Sequence, residues 1–149
     1  VVIIYSIHKN TVFHKHLIKN MSNWATSYFG DSLLTKDGVK PTADVLNGKS
    51  RVGIYFSAHW CPPCRGFTPV LAEFYDQLKE EDESKLEIIF VSSDRDEDSF
   101  KHYYDTMPWT SLLFNDRALK QKLCEKFNVS GIPAFFVLDA ADGSIKDAD

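Results

Sequence analysis

Apolar positions along this chain alternate between short unbroken runs and helical spacings. Residues 52–57 and 86–91 are compact apolar runs, with Ile88, Ile89 and Phe90 at the centre of the second. Such runs predict strands buried on both faces, because a strand with one wet face would alternate apolar with polar. Between them, Phe67, Val70, Leu71, Phe74, Tyr75 and Leu78 recur at helical spacing and predict one long amphipathic helix. Pro69 lies inside that pattern and is expected to kink it, since proline removes a donor and crowds the preceding turn. The acidic residues 80–83 read as a solvated loop. Further on, 96–104 and 117–127 predict two more helices, the second burying Leu119, Leu123 and Phe127 and stopping at Asn128. Gly131-Ile132-Pro133 leads into an apolar strand at 134–138. Asp142-Gly143 then predicts a hairpin whose return strand starts at Ser144.

The amino-terminal part is less regular. A weak strand is expected at 32–35, ended by Asp37-Gly38, and a helical turn at 41–46, closed by Asn47-Gly48. Residues 1–20 combine β-branched Val1 to Ile4 with a basic, irregular stretch, and read as a poorly docked extension or an extra edge strand. One domain over 21–149 is therefore expected, a three-layer α/β/α sandwich around a central mixed sheet. The chain begins with Val rather than Met, so the start is expected upstream or at Met21. It stops at Asp149, where the return strand is expected to grow, so the last strand and helix are expected to be incomplete.

Composition narrows the function. The 149 residues suffice for one domain with a real core. An aromatic share of 13% points to a core packed around Phe and Tyr. The net charge of -4 disfavours nucleic acid or an anionic membrane as partner, despite Lys9, Lys15 and Lys19 near the start. No apolar run approaches the roughly 18 residues of a spanning helix. Three cysteines are too few for a disulfide-stapled scaffold and suit a reducing compartment in which a thiol pair does chemistry.

That pair is Cys61 and Cys64, in Trp60-Cys61-Pro62-Pro63-Cys64-Arg65, directly after a buried strand and at the start of the long helix. Two cysteines so spaced can close a small disulfide ring. Cys61 sits by the unsatisfied amides of the first turn, which favour its thiolate, the form that attacks disulfides. A helix terminus contributes up to about 1 kcal/mol at exposed sites, less than the 1.36 kcal/mol in one pKa unit. First-turn amides and the Cys64 thiol are expected to supply the rest by hydrogen bonding. Pro62 and Pro63 cost nothing at helix positions that need no backbone donor, and they stiffen the ring. Cys64, one turn inward, is expected to be the more buried and to resolve the mixed disulfide. A zinc site would need two further ligands, and Cys124, His59 and His102 are scattered candidates only. No metal and no cofactor beyond the Cys61–Cys64 disulfide is expected.

The stretch from Tyr55 to Pro69, with Ile88-Ile89-Phe90-Val91-Ser92-Ser93-Asp94-Arg95, Met107-Pro108-Trp109 and 127–133, resembles nucleoredoxins and tryparedoxins, a branch of the thioredoxin superfamily. The resemblance spans roughly 32–143. It implies a thioredoxin fold, with Cys61 attacking, Cys64 resolving and Pro133 in cis facing them. The Ile132 backbone would then be free to pair with an extended substrate segment, and Trp60 would shield the site and contact partners. Ordinary thioredoxins carry a buried aspartate six positions before the attacking cysteine; here Tyr55 stands there, so another group or a water must move the proton. They also carry Gly-Pro between the cysteines, and both departures count against thioredoxin reductase as electron donor.

Of the remaining residues, Cys124 reads as a small core residue. His59 is a candidate for tuning the thiolate. Arg65 reads as positive potential near the dithiol or a plain surface charge, and 94–98 as a polar loop and helix start. The expected function is reduction of protein disulfides, with electrons passed to peroxiredoxins or other targets. A low-molecular-weight thiol or a reductase regenerates the pair. The alternative is a binding module whose redox state gates a partner; direct peroxide reduction is a weaker third. A cytoplasmic or nuclear monomer is expected.

Overall fold

The structure is a computed structural model and describes residues 23–81 and 85–146. The expected extension at 1–20 lies outside the described residues. In chain order the elements are α1 (23–29), β1 (Ser32–Thr35), β2 (Gly38–Pro41), α2 (Thr42–Leu46) and β3 (Arg51–Ser57). After these come α3 (Pro62–Glu81), β4 (Leu86–Ser92), α4 (Glu97–Tyr104), β5 (Thr110–Ser111), α5 (Arg117–Lys126) and β6 (Ala134–Asp139). The strands form one mixed sheet in the order β2-β1-β5-β4-β3-β6. β3 runs parallel to β4 and antiparallel to β6.

The central strands are apolar throughout because their alternate side chains enter two different cores. Val52, Ile54 and Phe56 of β3 and Ile89 and Val91 of β4 join Ala25 and Phe29 of α1 and Leu123 of α5 on one face. Tyr55, Ile88 and Phe90 join Leu71 and Tyr75 of α3 and Phe100, Tyr103 and Tyr104 of α4 on the other. Helices thus cover both faces of the sheet, as the expected α/β/α sandwich requires. Among the described residues no helix is long and apolar enough to cross a membrane.

Several expectations change in detail. The helix contains Pro69, as expected, and also takes in Glu80 and Glu81, which were expected in a loop. Its apolar stripe is also narrower than the spacing suggests: Cys64, Thr68, Leu71 and Tyr75 are buried, whereas Val70 is 60% and Phe74 48% exposed. The buried set repeats at four, three and four residues and so occupies one line along the helix, with Val70 and Phe74 rotated off it. The first strand ends at Thr35, as expected, and the turn at Asp37-Gly38 leads into β2, a paired edge strand that was not expected. On α5, Leu123 and Phe127 are buried and Leu119 is only half-buried; Asn128 ends the helix in the left-handed conformation, φ 50°. Among the described residues the return of the last hairpin makes a single bridge, Leu138 to Ile145.

One close approach in the central strand is testable. A Cβ built on Gly53 would lie 2.8 Å from two ring carbons of Phe135 and 3.1 Å from Ile88 Cγ1. Gly53→Ala is expected to lower stability by about 1–3 kcal/mol through overpacking, measured by urea unfolding. The Phe135→Leu, Gly53→Ala double variant should recover part of that loss, because the second change removes the ring the new methyl meets.

Candidate active site

The site forms where the parallel strands β3 and β4 end together, with Ser57 opposite Ser92 in the register. The chain leaving β3 is held by the chain leaving β4. Ser93 N–H donates to Ser57 O at 2.9 Å. His59 N–H donates to Asp94 Oδ1 at 2.7 Å, and the Trp60 indole N–H donates to Ser93 O at 3.0 Å. Asp94 is only 4% exposed; its second carboxylate oxygen accepts from Ser92 Oγ at 2.8 Å, and its own N–H donates back to Ser92 Oγ at 2.9 Å. Arg117 reaches in from α5 and donates to Ser92 O at 2.6 Å. Burial lowers the Arg117 pKa from its ordinary value, while Asp94 and Cys124 act in the opposite sense.

These contacts fix the loop that presents the dithiol. Cys61 N–H donates to Ala58 O at 3.2 Å, and α3 begins at the next residue. Cys61 and Cys64 are joined as a disulfide, with their Cα atoms 5.2 Å apart. Cys61 is 4% exposed and Cys64 fully buried, as their places on the helix predict. The Cys64 N–H donates to Cys61 Sγ at 3.3 Å, a first-turn amide aimed at the outer sulfur. That sulfur lies 3.6 Å from Ile132 O, and the Ile132–Pro133 peptide bond is cis. Ile132 packs against the dithiol cluster of Ala58, Cys61 and Cys64.

Around this centre, Trp60 is 52% exposed, with the Arg95 guanidinium 6.0 Å from its ring. Pro62 and Pro63 are exposed on the first turn of α3. The Arg65 guanidinium donates to His59 O, so it clasps the loop ahead of Cys61. His59 packs edge-on to His102, ring centroids 5.4 Å apart. Cys124 is half-buried and packs on the core of the opposite sheet face, away from the dithiol. Among the described residues no group of three or more His, Cys, Asp or Glu side chains is arranged to hold a metal ion.

Beneath the disulfide lies a buried set of hydroxyls. Tyr55 OH is 2.8 Å from Thr68 Oγ1, and Thr68 Oγ1 is 2.5 Å from Tyr103 OH, which is 3.0 Å from Ser57 Oγ. Thr68 donates to Cys64 O at 2.9 Å. Burial pushes the Tyr55 pKa up to about 12, so this phenol stays protonated and neutral. Asp94, Thr68 and Tyr103 were not singled out as site residues from the sequence. Asp94 stood in a polar run that reads as loop, and its one available signal was its position just past the end of a buried parallel strand.

A match to the family described as thioredoxin-like spans residues 48–145. The chain belongs to that family. It is 50% identical over 107 residues to nucleoredoxin of Bos taurus, an alignment covering 72% of this chain and 24% of that protein. To tryparedoxin of Trypanosoma brucei brucei it is 44% identical over 114 residues, covering 76% of each. The chain therefore spans about a quarter of the bovine nucleoredoxin. Native tryparedoxin I from Crithidia fasciculata superimposes with a TM-score of 0.73 at 41% identity, covering 80% of this chain and 82% of that one. Tryparedoxin II complexed with glutathionylspermidine superimposes with a TM-score of 0.75 at 35% identity, covering 84% of each. The thioredoxin-like family thus supplies the fold expected from the dithiol stretch, in a chain whose own disulfide closes Cys61 to Cys64.

The bracing of the loop gives a second test. Asp94→Ala leaves the His59 N–H and the Ser92 hydroxyl without their acceptor. The expected loss is about 1–3 kcal/mol of stability in urea unfolding. Loosened Trp60 packing should also redden the tryptophan emission.

Proposed function

We propose that this thioredoxin-like protein reduces protein disulfides by two-step thiol exchange, Cys61 attacking and Cys64 resolving. One observation carries the reading: the outer sulfur of a helix-start dithiol receives a first-turn amide from Cys64, while the inner sulfur is sealed in the core. A thiolate on Cys61 is favoured by that amide and by the helix terminus. In the reduced protein, Cys61 attacks one sulfur of the target disulfide, and the other leaves as a thiolate. Cys64 then gives up its proton and attacks Cys61 Sγ, which frees the second target thiolate and restores the Cys61–Cys64 disulfide. Two electrons pass to the target, and its two thiolates take protons from solvent.

The surroundings support this cycle. Ile132 and cis Pro133 flank Cys61 Sγ and offer backbone to an extended target segment, while Trp60, Pro62 and Pro63 form the exposed rim it would meet. Arg65 acts by holding the His59 carbonyl. The pair is regenerated by a low-molecular-weight thiol, a chemistry supported by the tryparedoxin relative complexed with glutathionylspermidine, or by a reductase. Peroxiredoxins are the proposed class of target protein. The protein works as a monomer without further cofactor, in the cytoplasm or nucleus, where thiols stay reduced.

A second reading, a redox-gated binding module, is favoured by the exposure of Trp60, Val70 and Phe74. Pull-downs with reduced and oxidised protein separate the two, since a carrier holds targets only through a transient covalent bond.

Cys61→Ser is expected to abolish reduction of insulin in a turbidity assay, and Cys64→Ser to accumulate mixed disulfides visible on non-reducing gels. Full insulin reduction by Cys61→Ser would overturn the mechanism.

A further inference from the structure

Beside the dithiol loop lies a cationic pocket that the thiol exchange does not use. It is a cavity of about 300 Å³ between α3 and α4, and its polar lining is His59, Arg65, Thr68, His102, Tyr103 and Thr106. No carboxylate among the described residues belongs to that lining, so the charges it carries are positive.

The hydroxyls of the lining are already spent. Thr68 donates to Cys64 O at 2.9 Å and Thr106 to Tyr103 O at 2.7 Å. A hydroxyl has one proton, so Tyr103 OH, 2.5 Å from Thr68 Oγ1, is the donor of that pair. The donors left for a ligand are nitrogens. Arg65 gives one N–H to His59 O, and a guanidinium carries five in a planar fork. Asp94 takes the backbone N–H of His59 rather than its ring. Each imidazole brings at least one ring N–H whatever its protonation state.

Nearby carboxylates do not complete this set from within. Asp94 is engaged with the His59 amide and the Ser92 hydroxyl. Asp96 accepts from Ser99 N–H at 2.8 Å, and Glu97 pairs with Lys101 at 3.1 Å. Asp98 and Asp105, which flank His102 in the chain, are exposed and outside the lining.

The shape of the donor set selects the anion. The His59 and His102 ring centroids are 5.4 Å apart, and their planes stand at 90°. Ring N–H groups lie in their ring planes, so the two donors approach from crossed planes. A carboxylate prefers its donors near one plane, whereas phosphate oxygens point to the corners of a tetrahedron. Phosphate is strongly anionic at neutral pH, and the Arg65 fork matches two of its oxygens. The cavity has room for the group and for water beside it.

We propose that His59, His102 and Arg65 bind a phosphate group in this cavity, either the free ion or an ester of a small metabolite. The bound group ties α4 to the loop before Cys61 and to the first turn of α3, and so stabilises the folded chain by linkage.

The test follows the imidazole carbon-bound protons of the oxidised full chain by NMR, at constant ionic strength set with sodium chloride. Inorganic phosphate is expected to shift the His59 and His102 signals saturably, and to raise the urea midpoint above that in chloride. Arg65→Gln and His102→Ala are each expected to weaken binding about 10-fold, as loss of a hydrogen bond to a charged group does. Both side chains are exposed, so the folded chain tolerates either change. Glycerol phosphate binding more tightly than the free ion marks an ester as the ligand; weaker binding marks the free ion. Any of five results overturns the proposal: no saturable shift, equal shifts with acetate, equal shifts at His8, His14 and His16, an unmoved urea midpoint, or undiminished binding in either variant.

Discussion

The site depends on how α3 is laid against the sheet. Its buried stripe is Cys64, Thr68, Leu71 and Tyr75, and the last two are held by the aromatic core over β3 and β4. Burying a Leu or a comparable large apolar side chain stabilises by roughly 1.5–3 kcal/mol. A helix terminus offers a thiolate no more than about 1 kcal/mol. Packing therefore sets the rotation of the helix, and the chemistry takes what that rotation leaves. With Leu71 and Tyr75 inward, Cys64 must be sealed, and Cys61, three positions earlier at the helix start, must stand at the rim. The division of labour between the two sulfurs thus follows from apolar burial well down the helix.

The same burial constrains how protons move. An ionised carboxylate beneath Cys64 would have to be paired or hydrogen-bonded to sit in that core. This chain places Tyr55 there, which stays neutral with its pKa raised to about 12 and packs its ring against Trp109 and Phe67. Asp94, a buried carboxylate close to the dithiol loop, is committed elsewhere. Its oxygens accept from the His59 amide and the Ser92 hydroxyl, and it serves as a brace between two strand ends.

What the sequence made legible follows from signal length. Seven-residue strands with apolar side chains on both faces stand out as runs, and β3 and β4 were accordingly expected in their places. The dithiol was legible because its chemistry needs two cysteines at fixed spacing; the cis bond at Pro133 followed only from the family resemblance. Short elements were not. β2 has four exposed residues and β5 two residues, too few to show a period, and α1 was not anticipated. The narrowness of the stripe on α3 is hidden in the sequence for a related reason. Apolar residues at helical spacing show that a helix has a face but not how wide a strip the sheet covers, and Val70 and Phe74 fall outside it. Thr68, Tyr103 and Asp94 escaped notice because a buried hydroxyl or carboxylate differs from a solvated one only in what surrounds it.

The two halves of the site rest on opposite faces of the sheet, and one strand sets their spacing. The dithiol belongs to α3, which packs on the face of Tyr55, Ile88 and Phe90. The cis peptide precedes β6, and Ile132 packs against the core of the other face as well as against Cys61 and Cys64. β3 lies between them. Its register with β6, Phe56 opposite Ala134, puts Pro133 beside the loop that carries Cys61. A one-residue slip in that pairing would turn every β6 side chain to the wrong core, so both hydrophobic faces resist it. The 3.6 Å approach of Cys61 Sγ to Ile132 O is consequently set by the cores of two sheet faces together with the contacts that brace the dithiol loop. Substitutions deep in either core should therefore be felt at the sulfur.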